Sequence, residues 1–318
     1  MKRVLFLVLI FSSMVFANER MLINIINNVS IPNVQNSIDS ANILKNDLNE
    51  KNFTNFVKSW KKVEALYFAG DLDEDFLDTP RYIDVFNNLK EDLNSQMNRI
   101  INSNDEVKTA LYKNSFKTIN ALEYVLFNDK NISKREKEIS IAIIDSIILH
   151  LEDINEVYKS YTKVSENKKV KDEKWENALV INALIASSYR LKEWRIGNAS
   201  GFSSKYKNDA KNERAEYFLS QNSFEAINAI LDAHKQIVLK NKYYDFAAFV
   251  MNKGAAIELL HAIDKIEEMK KELELLSKDD FTKAEKLFNS AKDLHNAYYV
   301  SLIAQLSIVG KILDADGD

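Results

Sequence analysis

The scarcity of turn-forming residues limits what this chain can fold into more than any other feature. Only 6 Gly and 2 Pro interrupt its 318 residues, which is far below the average usage of both. Strand-rich folds need turn residues every few positions, so the sequence predicts an all-α fold instead. Apolar residues recur at helical spacing in two stripes, which are Leu287, Ala291, Leu294, Tyr298, Leu302 and Val309, and Phe246, Phe249, Val250, Ile257 and Leu260.

A short internal similarity indicates how the helices are organised. Residues 114–122 (NSFKTINAL) and 222–230 (NSFEAINAI) are identical at six of nine positions and lie 108 residues apart. Such self-similarity is typical of a duplicated architecture. We therefore predict two related helical bundles, residues 18–165 and 166–318, which divide near the polar stretch 165–171.

The N-terminus has the pattern of a cleavable secretory signal. Positive charges at positions 2–3 precede an unbroken apolar run, residues 4–11, and Ala17 supplies the small residue that signal peptidase requires. The alternative is a transmembrane anchor, which needs roughly 20 apolar residues, and the run is shorter than that. We therefore expect residues 1–17 to be removed and the mature protein to begin at Asn18, to be periplasmic and to contain no transmembrane segment.

Composition excludes several classes of protein. The chain has no Cys, so it cannot be a lipoprotein, it forms no disulfides, and it performs no thiol chemistry. Lys plus Arg is 43 and Asp plus Glu is 47, and the two signs are interspersed along the chain. No basic stripe of the kind that a phosphate backbone requires is present. Nucleic acid and anionic membrane surfaces are therefore not expected as partners.

The common enzyme signatures are also absent from the sequence. It contains no HExxH, no GxSxG, no phosphate-binding glycine loop and no dinucleotide fingerprint. Glu258 and His261 form one ExxH step, whose side chains share a helix face, but a di-iron bundle uses two such steps. The residues three positions before the other histidines are Ile147, Leu231 and Lys292. We therefore interpret the Glu258–His261 step as an ordinary helical pair.

One acidic residue stands out because it lies in an apolar segment, residues 116–127 (FKTINALEYVLF). Glu123 is surrounded there by Ala, Leu, Tyr, Val and Phe. Burying it unpaired would cost several kcal/mol, so a buried Glu123 requires a partner. Asn120 lies three residues earlier on the same helix face and is a candidate. The second copy of the repeat has Leu231 at the matching position, so this polar site belongs to the first bundle.

The same segment resembles the signature of the imelysin family (peptidase family M75), which reads Gly-x-His-x-x-Glu followed by Tyr-Leu-Leu-Phe. Four further stretches are similar to the family in the expected order, and together they span nearly the whole mature chain. The protein is therefore identified as a member of the imelysin family. The four stretches are residues 60–70 (WKKVEALYFAG), 81–84 (RYID), 216–223 (EYFLSQNS) and 313–318 (LDADGD).

The resemblance implies two helical bundles related by duplication, in an exported protein of the periplasm or outer membrane that is often tied to iron uptake. This chain departs from the motif at two positions, because Thr118 replaces the Gly and Asn120 replaces the His, while Glu123 is kept. An amide oxygen is a weaker ligand for transition metals than imidazole. We therefore expect only weak binding of a divalent or iron ion, with Glu123 as the remaining metal ligand, and the cofactor stays unknown.

Three hypotheses for function follow from the sequence. In the first, the protein is a non-catalytic periplasmic binding protein for iron or other metal acquisition, with an unidentified periplasmic or outer-membrane partner. Its ligand-binding candidates are Asn120 and Glu123, with Glu64 and Arg81 as neighbours. In the second, it is a metal-dependent peptidase of the M75 type that uses Glu123 as ligand or base. In the third, it is an exported scaffold whose polar residues only satisfy each other.

Overall fold

The computed structural model describes residues 20–88, 91–167 and 172–308. Within these ranges the chain is helical and contains no β-strand, which confirms the predicted all-α fold. Its α-helices are α1 (Met21–Ile25), α2 (Ile31–Asn46), α3 (Glu50–Ala65), α4 (Ala69–Leu72), α5 (Thr79–Ile83), α6 (Leu93–Ile101), α7 (Val107–Ala110), α8 (Ile119–Phe127), α9 (Lys134–Asn167), α10 (Glu173–Arg190), α11 (Asn198–Ser200), α12 (Ser223–Val238), α13 (Phe246–Asn252), α14 (Ala256–Leu275), α15 (Glu285–Asn296) and α16 (Ile303–Leu306).

Shorter turns of other helical types connect or extend these α-helices. The π-helical segments are Ile26–Ser30, Leu191–Gly197 and Ala297–Leu302. The 3-10 helices are Glu74–Phe76, Asn114–Lys117, Ser204–Tyr206, Asn212–Arg214 and Phe281–Lys283.

Helix α3 is the element that brings together the two halves of the chain. It packs against α2, which is next to it in sequence, and against α12, which lies far along the chain. Its first turn is capped by the Asn49 side chain, which accepts a hydrogen bond from the backbone N–H of Asn52. Its apolar residues share one face and are fully or almost fully buried, as helical periodicity requires: Phe53, Phe56, Val57, Trp60 and Val63.

The proline at position 32 does not interrupt the helical path of the chain. Helix α1, the π-helical segment Ile26–Ser30 and helix α2 follow one another directly, so the chain stays helical from Met21 to Asn46. Pro32 lies in the first turn of α2. A proline inside a continuous helix removes one backbone hydrogen bond, and Pro32 follows the π-helical segment Ile26–Ser30, where the hydrogen-bond pattern already differs from that of an α-helix.

The apolar stripe from Phe246 to Leu260 is only partly buried. Phe246, Phe249 and Val250 lie in the core, but Ile257 and Leu260 are 79% and 56% exposed. The reason is that α13 ends at Asn252 and a new helix begins at Ala256, so the periodicity does not continue across the turn. The buried face of α14 consists instead of Leu259, Ala262, Ile266, Met269 and Leu273.

The two similar nine-residue segments both lie where a helix begins, but their capping differs. Residues 114–122 form a 3-10 helix and then the start of α8, where the Thr118 hydroxyl accepts from a backbone N–H of the first turn at 3.4 Å. Residues 222–230 lead directly into α12, whose first two N–H groups donate to the Asp279 carboxylate at 2.8 Å. A duplication of two bundles therefore stays a prediction.

Several sequence-based expectations fall outside the described residues. These are the signal peptide, residues 1–17, and the Asp-Gly-Asp end, residues 316–318. Helix α9 continues to Asn167, and the rest of the stretch 165–171 is not among the described residues. The division into residues 18–165 and 166–318 therefore stays a prediction. No helix in the described ranges combines the length and apolar character needed to cross a bilayer.

Candidate functional site

The centre of the candidate site is a lysine buried among three carboxylates. Lys61, on α3, has no exposed surface. Its Nζ lies 2.7 Å from Glu64 Oε2, 2.6 Å from Asp84 Oδ2 and 2.5 Å from Glu216 Oε1. An ammonium group has three N–H donors and no acceptor. Every donor of Lys61 is therefore matched by one carboxylate, and we call Lys61, Glu64, Asp84 and Glu216, together with Arg195, the charge cluster.

Arg195 is the second cation of the charge cluster and comes from the π-helical segment Leu191–Gly197. Its Nε donates to Glu216 Oε2 at 2.7 Å, and one of its terminal nitrogens lies 2.8 and 2.7 Å from the two carboxylate oxygens of Glu64. Glu216 thus contacts Lys61 through one oxygen and Arg195 through the other. Burial raises the pKa of Glu216, and the charges of Arg195 and Lys61 oppose that effect. A proton on either oxygen would face an N–H donor, so the hydrogen-bond geometry favours the ionised form of Glu216.

Asp84 is held by neutral donors as well as by Lys61. Its Oδ2 accepts from Trp60 Nε1 and from the Tyr217 hydroxyl, each at 3.1 Å, and its Oδ1 accepts from the backbone N–H of Phe86 at 2.9 Å. Hydrogen bonds to the charged form stabilise it. Burial alone would raise the pKa of Asp84, but the charge of Lys61 and the hydrogen bonds from Lys61 and the Phe86 N–H hold it below its ordinary value.

The segment that carries Glu216 and Tyr217 has an unusual backbone. Tyr217 is buried and has φ 58°, and Gln221 has φ 52°. For bulky residues this left-handed region is strained, and it persists only where surrounding contacts determine it. Here those contacts include the Ser223 hydroxyl, which donates to the Glu216 carbonyl at 2.5 Å, and the Tyr217 ring, whose centroid lies 5.2 Å from Lys61 Nζ.

The residues of the imelysin-like motif lie beside the charge cluster but have separate partners. Asn120 Oδ1 accepts from the backbone N–H of Val85 at 2.7 Å. Glu123 is 7% exposed, and its Oε1 accepts from the backbone N–H and the hydroxyl of Ser220 at 2.9 and 2.7 Å. Each motif residue therefore ties α8 to a different backbone segment, one next to Asp84 and the other within residues 216–223.

Glu123 differs from Glu64 and Asp84 in the direction in which its pKa is shifted. Burial raises the pKa of Glu123 to about 7, and the nearby charges of Glu216 and Asp84 act in the same direction, although the Ser220 bonds oppose them. Burial also opposes ionisation of Glu64, but Arg195 and Lys61 hold the pKa of Glu64 well below its usual range. The site thus combines two acids with lowered pKa values, Glu64 and Asp84, with Glu123, which titrates near neutral pH.

Arg81, a predicted neighbour of Glu123, pairs with a different acid. Its side chain is 54% exposed and lies 3.2 Å from Asp78, so its place beside Glu123 stays a prediction. The five-residue helix α5 leaves Arg81 at the surface while Asp84, just beyond its end, is buried. Glu64, the other predicted neighbour, does lie in the charge cluster. The exposed His261 of the ExxH step lies on α14 and takes no part in it.

Sequence reasoning missed most of the charge cluster, although some signals were present. Lys61, Asp84 and Glu216 all fall inside stretches that resemble the family, namely residues 60–70, 81–84 and 216–223. This observation could have marked the three residues as candidates, although it does not show which of them contact one another. No motif marks Arg195, and only its burial in the fold reveals its role.

The described residues contain one group of acids whose geometry suits a metal ion. Oxygens of Glu64, Asp84 and Glu216 lie within 4.8 Å of one another. Lys61 Nζ already contacts all three, however, and a metal cannot enter while the ammonium is there. The motif acid Glu123 is not part of this group. The chemistry of the donors fits a hard cation, but the site as folded does not accommodate one.

The comparisons with known proteins agree with this fold. The sequence profile of the Peptidase M75 family, Imelysin, matches residues 29–308, and the chain therefore belongs to the imelysin family. Its structure is similar to an imelysin-like protein from Psychrobacter arcticum 273-4, with a TM-score of 0.76 and 14% identity over 92% of this chain and 96% of that one.

A second solved structure with the same fold comes from Parabacteroides distasonis ATCC 8503 and is described by its name as an iron-regulated protein A precursor. It aligns with a TM-score of 0.68 and 11% identity over 90% of this chain and 94% of that one. Both identities are low, so these two structures establish the fold alone. No curated protein matches the sequence significantly.

Proposed function

We propose that this chain is an exported, non-catalytic imelysin-like protein that serves iron or other metal acquisition in the periplasm by binding a partner of the cell envelope. The observation that carries the proposal is the use of the motif residues. Asn120 and Glu123 each accept hydrogen bonds from a backbone segment, and they do not converge on one open position. A link to iron is supported by the family and by the name of the Parabacteroides distasonis protein.

The alternative of a metallopeptidase requires a different arrangement. A catalytic zinc site has about three protein ligands and one open position for water. The one group of acids that meets the distance requirement in the described ranges is closed by Lys61. The alternative of a scaffold without a ligand shares this geometry with our proposal, so only a functional experiment separates the two.

The location of the charge cluster supports a function that depends on both halves of the chain. Lys61, Glu64 and Asp84 precede the predicted division at residue 165, whereas Arg195 and Glu216 follow it. Two bundles, residues 18–165 and 166–318, would thus share one buried centre. Binding of a partner across both bundles would therefore require that the charge cluster is intact.

Export gives a direct prediction. Mass spectrometry of the protein from the cell envelope should find Asn18 as its N-terminus, because cleavage after Ala17 removes the apolar run and leaves all of α1, from Met21 onward, in the mature protein. As a control, Ala17→Arg should leave the precursor uncut, since signal peptidase requires a small residue there. An envelope protein that retains Met1 would contradict the prediction.

The function itself is tested by growth of a deletion strain under iron limitation. We expect slower growth than the parent when iron is chelated and equal growth when it is plentiful. Both the wild-type gene and Glu123→Gln should restore growth, because Gln keeps the oxygen that accepts from Ser220. Normal growth of the deletion strain would favour the scaffold alternative. Peptide cleavage that is lost on chelation and in Glu123→Gln would establish the peptidase alternative.

A further inference from the structure

The surroundings of the Lys61 ammonium are those of a bound cation. Three carboxylate oxygens from three separate segments converge on its nitrogen at 2.5–2.7 Å. Calcium in proteins is bound by oxygen ligands at about 2.3–2.6 Å, with carboxylates as the main donors. The space that the three acids enclose therefore has nearly the size and the donor chemistry of a divalent cation site, with a side chain of the same protein at its centre.

The charges of the cluster also indicate a site for a cation. Glu64, Asp84 and Glu216 form direct ion pairs with two cations, Lys61 and Arg195, and the charge of the buried Arg190 also acts on Glu64 and Glu216. Without Lys61, the three carboxylates would keep Arg195 as their direct ion-pair partner and would carry excess negative charge in a site from which water is largely excluded. A divalent cation at the position of the ammonium would compensate that charge. Buried charges persist only when they are paired or coordinate a metal.

We propose that the Lys61 ammonium is a built-in replacement for a divalent cation at this centre. The charge cluster is metal-independent while Lys61 is present, and it becomes a binding site for a hard divalent cation when Lys61 is removed. Because all the donors are oxygens, Ca²⁺ and Mn²⁺ suit the site better than zinc, which prefers nitrogen and sulfur ligands. The proposal concerns this centre alone and stands whether or not the protein serves metal acquisition.

The test is substitution of Lys61 by alanine, with Lys62→Ala as the matched control on the next, half-exposed position of α3. Melting temperatures are measured for wild type and both variants after treatment with chelator, and again with CaCl₂ or MnCl₂ in excess. We expect Lys61→Ala to melt at a lower temperature than wild type and to regain much of the loss with metal. Wild type and Lys62→Ala should not respond, since a ligand stabilises only the protein that binds it.

Two further measurements make the result decisive. Calorimetric titration should show one metal ion per chain for Lys61→Ala and none at this centre for wild type. The double variant Lys61→Ala/Glu64→Gln should bind the metal about tenfold more weakly than Lys61→Ala, or weaker still, because one ligand charge is lost. If Lys61→Ala does not fold after chelation, it is refolded with metal and with chelator. Refolding that succeeds with metal but fails with chelator supports the proposal. Three results would overturn it. Lys61→Ala could fail to refold under both conditions, folded Lys61→Ala could show no response to metal, or wild type could show metal binding that Glu64→Gln abolishes.

Discussion

Arg195→Ala is expected to lower the free energy of unfolding by about 3–5 kcal/mol, the range for removing one partner of a buried ion pair. Arg195 is 4% exposed and is the counter-charge of Glu64 and Glu216. Its loss leaves Lys61 as the one direct ion-pair partner of the three carboxylates among the described residues, with the charge of Arg190 nearby, in surroundings that stabilise charge poorly. Urea denaturation followed by circular dichroism measures the loss.

Two other substitutions control for this result. Arg81→Ala removes an ion pair whose partners are both more than half exposed, and it should change stability by less than about 1 kcal/mol. Arg195→Lys keeps the charge but not the planar fork that reaches two acids, so an intermediate loss is expected. Equal losses for Arg195→Ala and Arg81→Ala would mean that the charge cluster contributes nothing special to the fold.

The helical class could be predicted because it depends on local features. Each α-helix satisfies its own backbone hydrogen bonds, so the scarcity of turn residues and the apolar periodicity are sufficient to indicate it. The periodicity fails where one turn interrupts it. Helical spacing places Ile257 and Leu260 on the same face as Phe246, but Gly254, between Asn252 and Ala256, has φ 79° and separates the two helices.

The candidate site could be predicted only in part, because its contacts join distant positions. The need for a partner to Glu123 followed from its apolar surroundings, but the partner proved to be Ser220, 97 positions away. Lys61 and Glu216 are 155 positions apart. A single sequence shows that charged residues occur in family-like stretches, but it does not show which acid meets which base.

The charge cluster leaves Glu64 with no free carboxylate oxygen. Lys61 and Arg195 keep Glu64 ionised and hydrogen-bonded on both oxygens. A carboxylate that is fully paired in this way is a poor general base, because its lone pairs are already occupied. Glu123 differs from these carboxylates, because its pKa lies near neutral pH.

Glu123 should make the stability of the protein fall as pH rises from about 4.5 to 7. Its pKa is about 7 in the folded protein and near 4.5 when unfolded, so in this window the folded state binds the extra proton. Stability is then lost with rising pH, by about 3 kcal/mol in total, and levels off above the folded pKa. Glu123→Gln lacks the ionisation and keeps the acceptor for Ser220. We therefore expect it to become more stable than wild type as pH rises, with the difference greatest near pH 8.

The difference between wild type and Glu123→Gln must be measured by urea denaturation at several pH values, since other acids titrate as well. Below pH 4.5 the folded and unfolded states both protonate Glu123, so the two proteins should differ least there. Glu136→Gln is the matched control, because Glu136 is also a buried helical acid but has a lowered pKa. It titrates below the window, and its difference from wild type should be flat from pH 5 to 8. A flat difference for Glu123→Gln too would show that Glu123 is ionised throughout this range and that the folded site stabilises its charge.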